Sequence, residues 1–117
     1  MNKRTIGTFY EDQAAAYLQN KGLMILTRNF RCRTGEIDLI AQDGEYLVFI
    51  EVKYRTSNIC GAPEAAVSRK KQITIRQVAE YYMLRFGWPM DRLFRFDVIA
   101  VYGTGEIIHY ENAFGGL

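Results

Sequence analysis

The chain has 117 residues, 49% of them hydrophobic and 24% charged, with a formal net charge of +2. That length suits one domain over residues 1–117 with a single core, and no apolar run nears the ~20 residues of a membrane helix. Two cysteines, Cys32 and Cys60, form no CxxC pair and His109 is the only histidine, which disfavours a thiolate–imidazole zinc site. The opening MNKRTIGTFYEDQ has two basic residues but no apolar core behind them, so a secretory signal is not expected. A cytoplasmic protein with reduced thiols is. The mild positive balance suits a polyanionic partner without requiring one.

From Ile6 to about Lys21 the pattern is helical, with Gly7, Ala14 and Leu18 on one stripe and Glu11 among them. A carboxylate there either points to the buried side for a reason or sits at the stripe's edge, favoured by the helix dipole. Gly22 suits the left-handed cap that ends such a helix. Leu23 to Arg31 reads as a strand that turns basic, with Arg28 and Arg31, and then Arg33 beyond it. These arginines balance nearby acids, stand solvated, or hold phosphate oxygens with their forked donors.

Arg55 to Glu64 is a loop by its Ser, Asn, Gly and Pro content. Ala65 to Phe86 reads as a second helix, with Val67, Ile75, Val78, Ala79, Tyr82 and Phe86 on a core stripe. Its first half holds Arg69, Lys70, Lys71 and Arg76, where acids are the usual choice; Lys71, four before Ile75, shares the core-facing stripe. Gly87-Trp88-Pro89 breaks this helix. Leu93 to Tyr102 is a strand in which Arg95 and Asp97 share a face, pairing with each other or with the helix, and Glu106 to Tyr110 is a last short strand. His109 reads as a core or surface residue rather than a catalyst.

The sharpest pattern is GEIDLIAQDGEYLVFIEVKYR, residues 35–55. Two apolar-rich runs, Glu36–Gln42 and Glu45–Tyr54, flank Asp43-Gly44, a dipeptide that favours a two-residue hairpin loop. With those two residues as the loop, Asp38 opposes Phe49, Glu36 opposes Glu51, and Asp38 lies diagonal to Glu51. One face then carries Ile37, Leu39, Ala41, Val48, Ile50 and Val52. The other carries Ile40, Leu47 and Phe49 near the loop, and Glu36, Asp38, Glu51 and Lys53 away from it. Both faces are partly buried, as in a sheet covered by helices. Grouping three carboxylates with one ammonium is costly unless they are solvated, paired or bound to a cation. A solvated hairpin end, with Lys53 neutralising its neighbours, is the plain reading. A surplus of hard oxygen donors also suits a divalent ion such as magnesium.

The order Asp38, then Glu51-Val52-Lys53 on the next strand, resembles the PD-(D/E)XK nuclease signature. With the longer strings GEIDLIA, VFIEVKYR and RFDVIAV in sequence, the chain resembles the YraN family of small bacterial proteins from about Gly7 to Phe114. That family is similar in turn to archaeal Holliday-junction resolvases. The resemblance implies a three-layer, restriction-endonuclease-like α/β fold, a mixed sheet flanked by helices in the order α-β-β-β-α-β-β. It implies Asp38, Glu51 and the Val52 carbonyl as ligands of one Mg²⁺ or Mn²⁺, with Glu11 completing the shell. Lys53 would orient the attacking water or steady charge on the phosphoryl oxygens. Glu36 and Gln72 take supporting parts, while Arg31, Arg33, Arg55 and Lys71 contact nucleic acid.

The implied activity is endonucleolytic hydrolysis of nucleic-acid phosphodiesters, with DNA, and branched DNA above all, as the expected substrate. A homodimer would suit symmetric cutting of two strands. The competing reading is a non-catalytic nucleic-acid-binding module on the same fold, and a third is a structural role with a solvated charged edge.

Overall fold

The computed structural model describes residues 3–55, 67–89 and 91–115. Helix α1 spans Lys3–Asn20, β1 Met24–Arg31, β2 Glu36–Asp43 and β3 Tyr46–Arg55; α2 spans Arg69–Arg85, β4 Phe94–Tyr102 and β5 Ile107–Tyr110. This is the expected order, α-β-β-β-α-β-β. Most of the expected loop after Arg55, Cys60 within it, and the first residues of the expected second helix lie outside the described residues.

Local chemistry sets the helix ends. At the end of α1, Gly22 takes φ +100°, the Leu23 N–H donates to the Leu18 carbonyl and the Gly22 N–H to that of Gln19, both at 3.0 Å. This paired closure satisfies carbonyls that the helix leaves open, and needs a residue without a Cβ at its left-handed position. Helix α2 starts on Ser68, whose hydroxyl accepts from the Lys71 N–H at 3.1 Å. It closes as α1 does, with Trp88 N–H on the Met83 carbonyl and Gly87 at φ +73°. Among the described residues, no helix is long and apolar enough to cross a membrane.

The sheet runs in spatial order β1-β2-β3-β4-β5. The first three strands form an antiparallel meander, β4 lies parallel to β3, and β5 returns antiparallel to β4. A parallel neighbour requires a crossover, and α2 supplies it. Leu39, Ala41, Val48 and Ile50 pack with Ala14 and Leu18 of α1, while Ile40, Leu47 and Phe49 pack with Ile75, Val78 and Tyr82 of α2. The sheet is therefore covered on both sides, which is why β3 and β4 are almost continuously apolar.

Four details differ from the sequence reading. The hairpin loop is Gly44-Glu45, not Asp43-Gly44, because Asp43 still pairs with Tyr46 and its carboxylate is held by Arg95 Nη2 at 2.9 Å. Gly44, at φ +58°, takes the first loop position instead of the second. The register thus shifts by two: Ile40 opposes Phe49, and Glu36 pairs with Arg31 of β1 rather than opposing Glu51. A shift of two leaves side-chain parity unchanged, and continuing this register sets Asp38 level with Glu51.

The alternation of β2 breaks beside Asp38, so Ile37 packs on the α2 side while Leu39 packs on the α1 side. Phe86 lies beyond the last turn of α2 and is exposed; Met83 takes the core place expected of it. Substituting Gly22→Ala forces a Cβ into the left-handed region and should lower unfolding free energy by about 1 kcal/mol, read by chemical denaturation.

Candidate functional site

The β2–β3 ladder ends at Leu39↔Ile50. Beyond it, the Val52 N–H, two residues past Ile50, donates to Asp38 Oδ2 at 2.8 Å. Glu51 is buried, at 8% exposure, and its Oε1 lies 3.6 Å from Lys53 Nζ, within ion-pair range but too long for a good hydrogen bond. Burial first, and the charge of Glu51 next, push the Asp38 carboxyl up to about 7, against the Val52 N–H, which favours the anion. Glu36 raises it further and Lys71 lowers it, so both lie within electrostatic reach.

Glu11 approaches from α1. Burial raises its pKa, the side chain of Asn29 hydrogen-bonds it and opposes that rise, and the charge of Asp38 adds to it. Glu11 lines a cavity of about 420 Å³ with Gly7, Thr8, Asn29, Arg31 and Glu36. Asn29 went unnoticed in the sequence. It sits at φ +54°, and its one signal was residue type, since asparagine tolerates that region better than other side chains.

The basic residues divide. Lys71, in the first turn of α2, is within electrostatic reach of Asp38. Arg31 Nε binds Glu36 Oε2 at 2.8 Å, so its charge is partly spent within the chain. Arg33 is exposed between β1 and β2, and Arg55, at the end of β3, gives a long 3.4 Å hydrogen bond to the Tyr54 carbonyl. Gln72 donates to the Val67 carbonyl at 2.9 Å, a contact that steadies the start of α2 rather than the carboxylates. The fold therefore gathers Glu11, Glu36, Asp38, Glu51, Lys53 and Lys71 at one end of the sheet, while the amide of Gln72 is turned to the Val67 carbonyl.

A second charged cluster lies on β4 and β5. Among the described residues, ligand atoms of Asp97, His109 and Glu111 lie within 4.8 Å of one another, a spacing that could hold a metal ion. Glu11, Asp38 and Glu51 do not close to that spacing as a trio. The second cluster is, however, internally satisfied. Asp97 accepts from His109 Nε2 at 2.7 Å, the Asn112 N–H at 2.9 Å and Arg95 Nε at 3.1 Å, while Arg95 Nη2 reaches both Asp43 and Glu111. Burial alone would raise the Asp97 pKa, but these donors outweigh it and hold the carboxyl below its ordinary value. The pairing of Arg95 with Asp97 agrees with the sequence reading. The contribution of His109 needed the β4–β5 pairing, which sets it beside Ile99.

The opposite shift of Asp38 has a measurable sign. Its folded-state pKa of about 7 exceeds the ordinary 3.8, so between those values the folded chain holds a proton that the unfolded chain has released. Stability in EDTA should fall as pH rises from about 4 to 7, with a slope approaching about 1.4 kcal/mol per pH unit from this group. In Asp38→Asn, that component should vanish from denaturation curves taken across the range. An unchanged slope would contradict the assignment.

Comparison with known proteins follows the same stretch of chain. The profile described as "Uncharacterised protein family UPF0102", the YraN family, matches residues 10–101. A UPF0102 protein of Lachnoclostridium phytofermentans is 46% identical over 97% of this chain and 96% of its own length. One from Clostridium botulinum strain Loch Maree is 47% identical over 84% and 80%, and one from Caldicellulosiruptor saccharolyticus 44% identical over 87% and 86%. Among solved structures, the SfsA protein of Pyrococcus furiosus in complex with Ca²⁺ aligns at 16% identity with a TM-score of 0.34, over 94% of this chain and 64% of that one, a likeness too slight to argue from. On profile and identity together, the chain belongs to the UPF0102 family.

Proposed function

We propose that the end of the sheet holding Asp38, Glu51 and Lys53 is the active site of a divalent-metal-dependent nuclease that hydrolyses nucleic-acid phosphodiesters, with DNA as the expected substrate. The observation that carries this reading is geometric: Asp38, fastened to the Val52 N–H at 2.8 Å, lies within electrostatic reach of Glu51, which is only 8% exposed. Burial and Glu51 leave that carboxylate short of positive charge, although Lys53 and Lys71 stand nearby. Such an arrangement costs stability and is relieved by a cation.

The donor set fits one Mg²⁺ or Mn²⁺. Asp38 and Glu51 supply hard carboxylate oxygens. The Val52 carbonyl points toward β2, as its N–H does, because both groups of a strand residue face the same neighbour. Magnesium is commonly held by one or two carboxylates with water completing its shell, so Glu11 could act through water even though the three side chains do not close around a point. When bound, the ion would activate water and polarise the scissile phosphate. Lys53 would orient that water or meet the charge growing on the phosphoryl oxygens. Glu36 would hold Arg31 in place, while Arg33, Arg55 and Lys71 would contact phosphates.

The ion pair already made between Lys53 and Glu51 favours a second reading, a non-catalytic nucleic-acid binder whose cluster is self-contained. It predicts affinity that falls steeply with salt and ignores divalent ions.

Cleavage of labelled linear and branched DNA with Mg²⁺ or Mn²⁺ decides between them. Asp38→Asn and Lys53→Ala should each slow cleavage by about a hundredfold or more; equal rates in the variants would overturn the proposal. Calorimetric titration with Mn²⁺ should show binding that Glu51→Gln removes and His109→Ala retains. The reverse pattern would move the metal to the Asp97 cluster.

A further inference from the structure

Consecutive residues of a strand face opposite sides of its sheet, and β1 departs from that rule at Asn29. Arg28 reaches α1, where it pairs with Asp12. The next residue, Asn29, also turns to α1, where its side chain hydrogen-bonds Glu11. Phe30 then packs on the α2 side, edge-on to Tyr82. The change of direction is made by the backbone of Asn29, at φ +54°. Among the described residues the other non-glycine with positive φ is Asn112, in the turn after β5, where such backbone is ordinary. Inside a strand it is rare.

The break is matched on the neighbouring strand. Arg28 pairs with Leu39 and Phe30 with Ile37, so Asn29 stands level with Asp38, and the ladder omits that pair. Leu39 packs on the α1 side and Ile37 on the α2 side, as Arg28 and Phe30 do. Two strands therefore change direction together, and each frees one polar side chain. Asp38 goes to the Val52 N–H, and Asn29 goes to Glu11. Asn29, Glu11 and Glu36 line the same cavity of about 420 Å³. Glycine adopts such backbone more readily than asparagine, so the kink by itself does not require an amide.

We propose that Asn29 is a positioning residue of the metal site, whose side-chain amide holds the Glu11 carboxylate in the cavity it shares with Glu36, ready for a divalent cation or for water bound to one. The role rests on the reading above that this end of the sheet holds a metal. An ionised carboxylate only accepts, so the amide N–H donates, and a neutral donor sets the direction of the carboxylate without cancelling its charge. A cation in the same place would neutralise it, as Arg31 does at Glu36. Hydrogen-bond partners of metal ligands typically change metal affinity ten- to a hundredfold when lost.

Calorimetric titration with Mn²⁺, paired with thermal melting in EDTA, separates the amide from the backbone that carries it. Asn29→Gly suits φ +54° and should melt close to the wild type, whereas Asn29→Ala strains the same backbone and should melt lower. Both should weaken Mn²⁺ binding about ten- to a hundredfold, because both lose the amide. With Glu11→Ala already in place nothing is left to position, and adding Asn29→Gly should change the affinity by less than about twofold. In EDTA, the Asn29 side-chain amide signals in NMR spectra should shift in Glu11→Ala and stay in place in His109→Ala.

Mn²⁺ affinity that follows stability, full in Asn29→Gly and weak only in Asn29→Ala, would overturn the proposal, because the kink alone would then matter. Equal losses with and without Glu11, or amide signals that ignore Glu11→Ala, would overturn it too. DNA cleavage and Mn²⁺ binding that are unchanged in Asn29→Gly would sink the positioning role and leave the nuclease reading standing. Asn29-dependent Mn²⁺ binding with no cleavage of any DNA would do the reverse, and a wild-type chain that binds no Mn²⁺ would sink both.

Discussion

One hydrogen bond governs how the charged end of this sheet is built. Past Leu39↔Ile50 the β2–β3 pairing stops, and the Val52 N–H would be left facing a gap inside a covered sheet. An unmet buried donor costs about 1–3 kcal/mol, so something must accept from it. Asp38 Oδ2 does so at 2.8 Å. That contact fastens the carboxylate to the strand bearing Glu51 and Lys53, and the break of alternation beside it sends Ile37 and Leu39 to opposite layers. Both helices can then bring a charged side chain to one place, Glu11 from α1 and Lys71 from α2.

Two aspartates in the sheet show what partners do to buried charge. Asp97 is 1% exposed, yet its pKa is lowered, because a guanidinium, an imidazole and a main-chain N–H converge on it. Asp38 is raised instead, because burial first and the charge of Glu51 next outweigh the single N–H that it accepts from. The first cluster balances itself and ties β4 to β5 and to the hairpin loop. The second keeps a cost that, among the described residues, Lys53 and Lys71 only partly offset.

Much of this was legible beforehand. The element order, the apolar strands and the two-sided cover follow from hydrophobic periodicity and from turn residues such as Gly22. Glu11 on a stripe of small residues and the acids after Gly35 stood out because charge is rare in such positions. The hairpin register was misread by two residues because Asp-Gly is a strong local signal, while the hold of Arg95 on Asp43, 52 positions away, is not local at all. A register error of two does not by itself change side-chain direction, but the break of alternation beside Asp38 does, and it sends Glu36 to Arg31 rather than to the face shared by Glu51 and Lys53. For Arg31 the sequence left acids, solvent and phosphate all open, because its pairing with Glu36 spans a turn whose closure the sequence does not reveal.

By itself, then, the sequence determined which layers form, and that acids and a lysine would share one end of the central hairpin. Short-range periodicity is enough for that. Only the tertiary structure decided which acids are neutralised and which are not, which arginine is spent, and that Tyr54 leans on Tyr10. The reason is physical. Charge balance and ring stacking depend on distances of a few ångströms between residues far apart in the chain, and those distances exist only once the layers have packed.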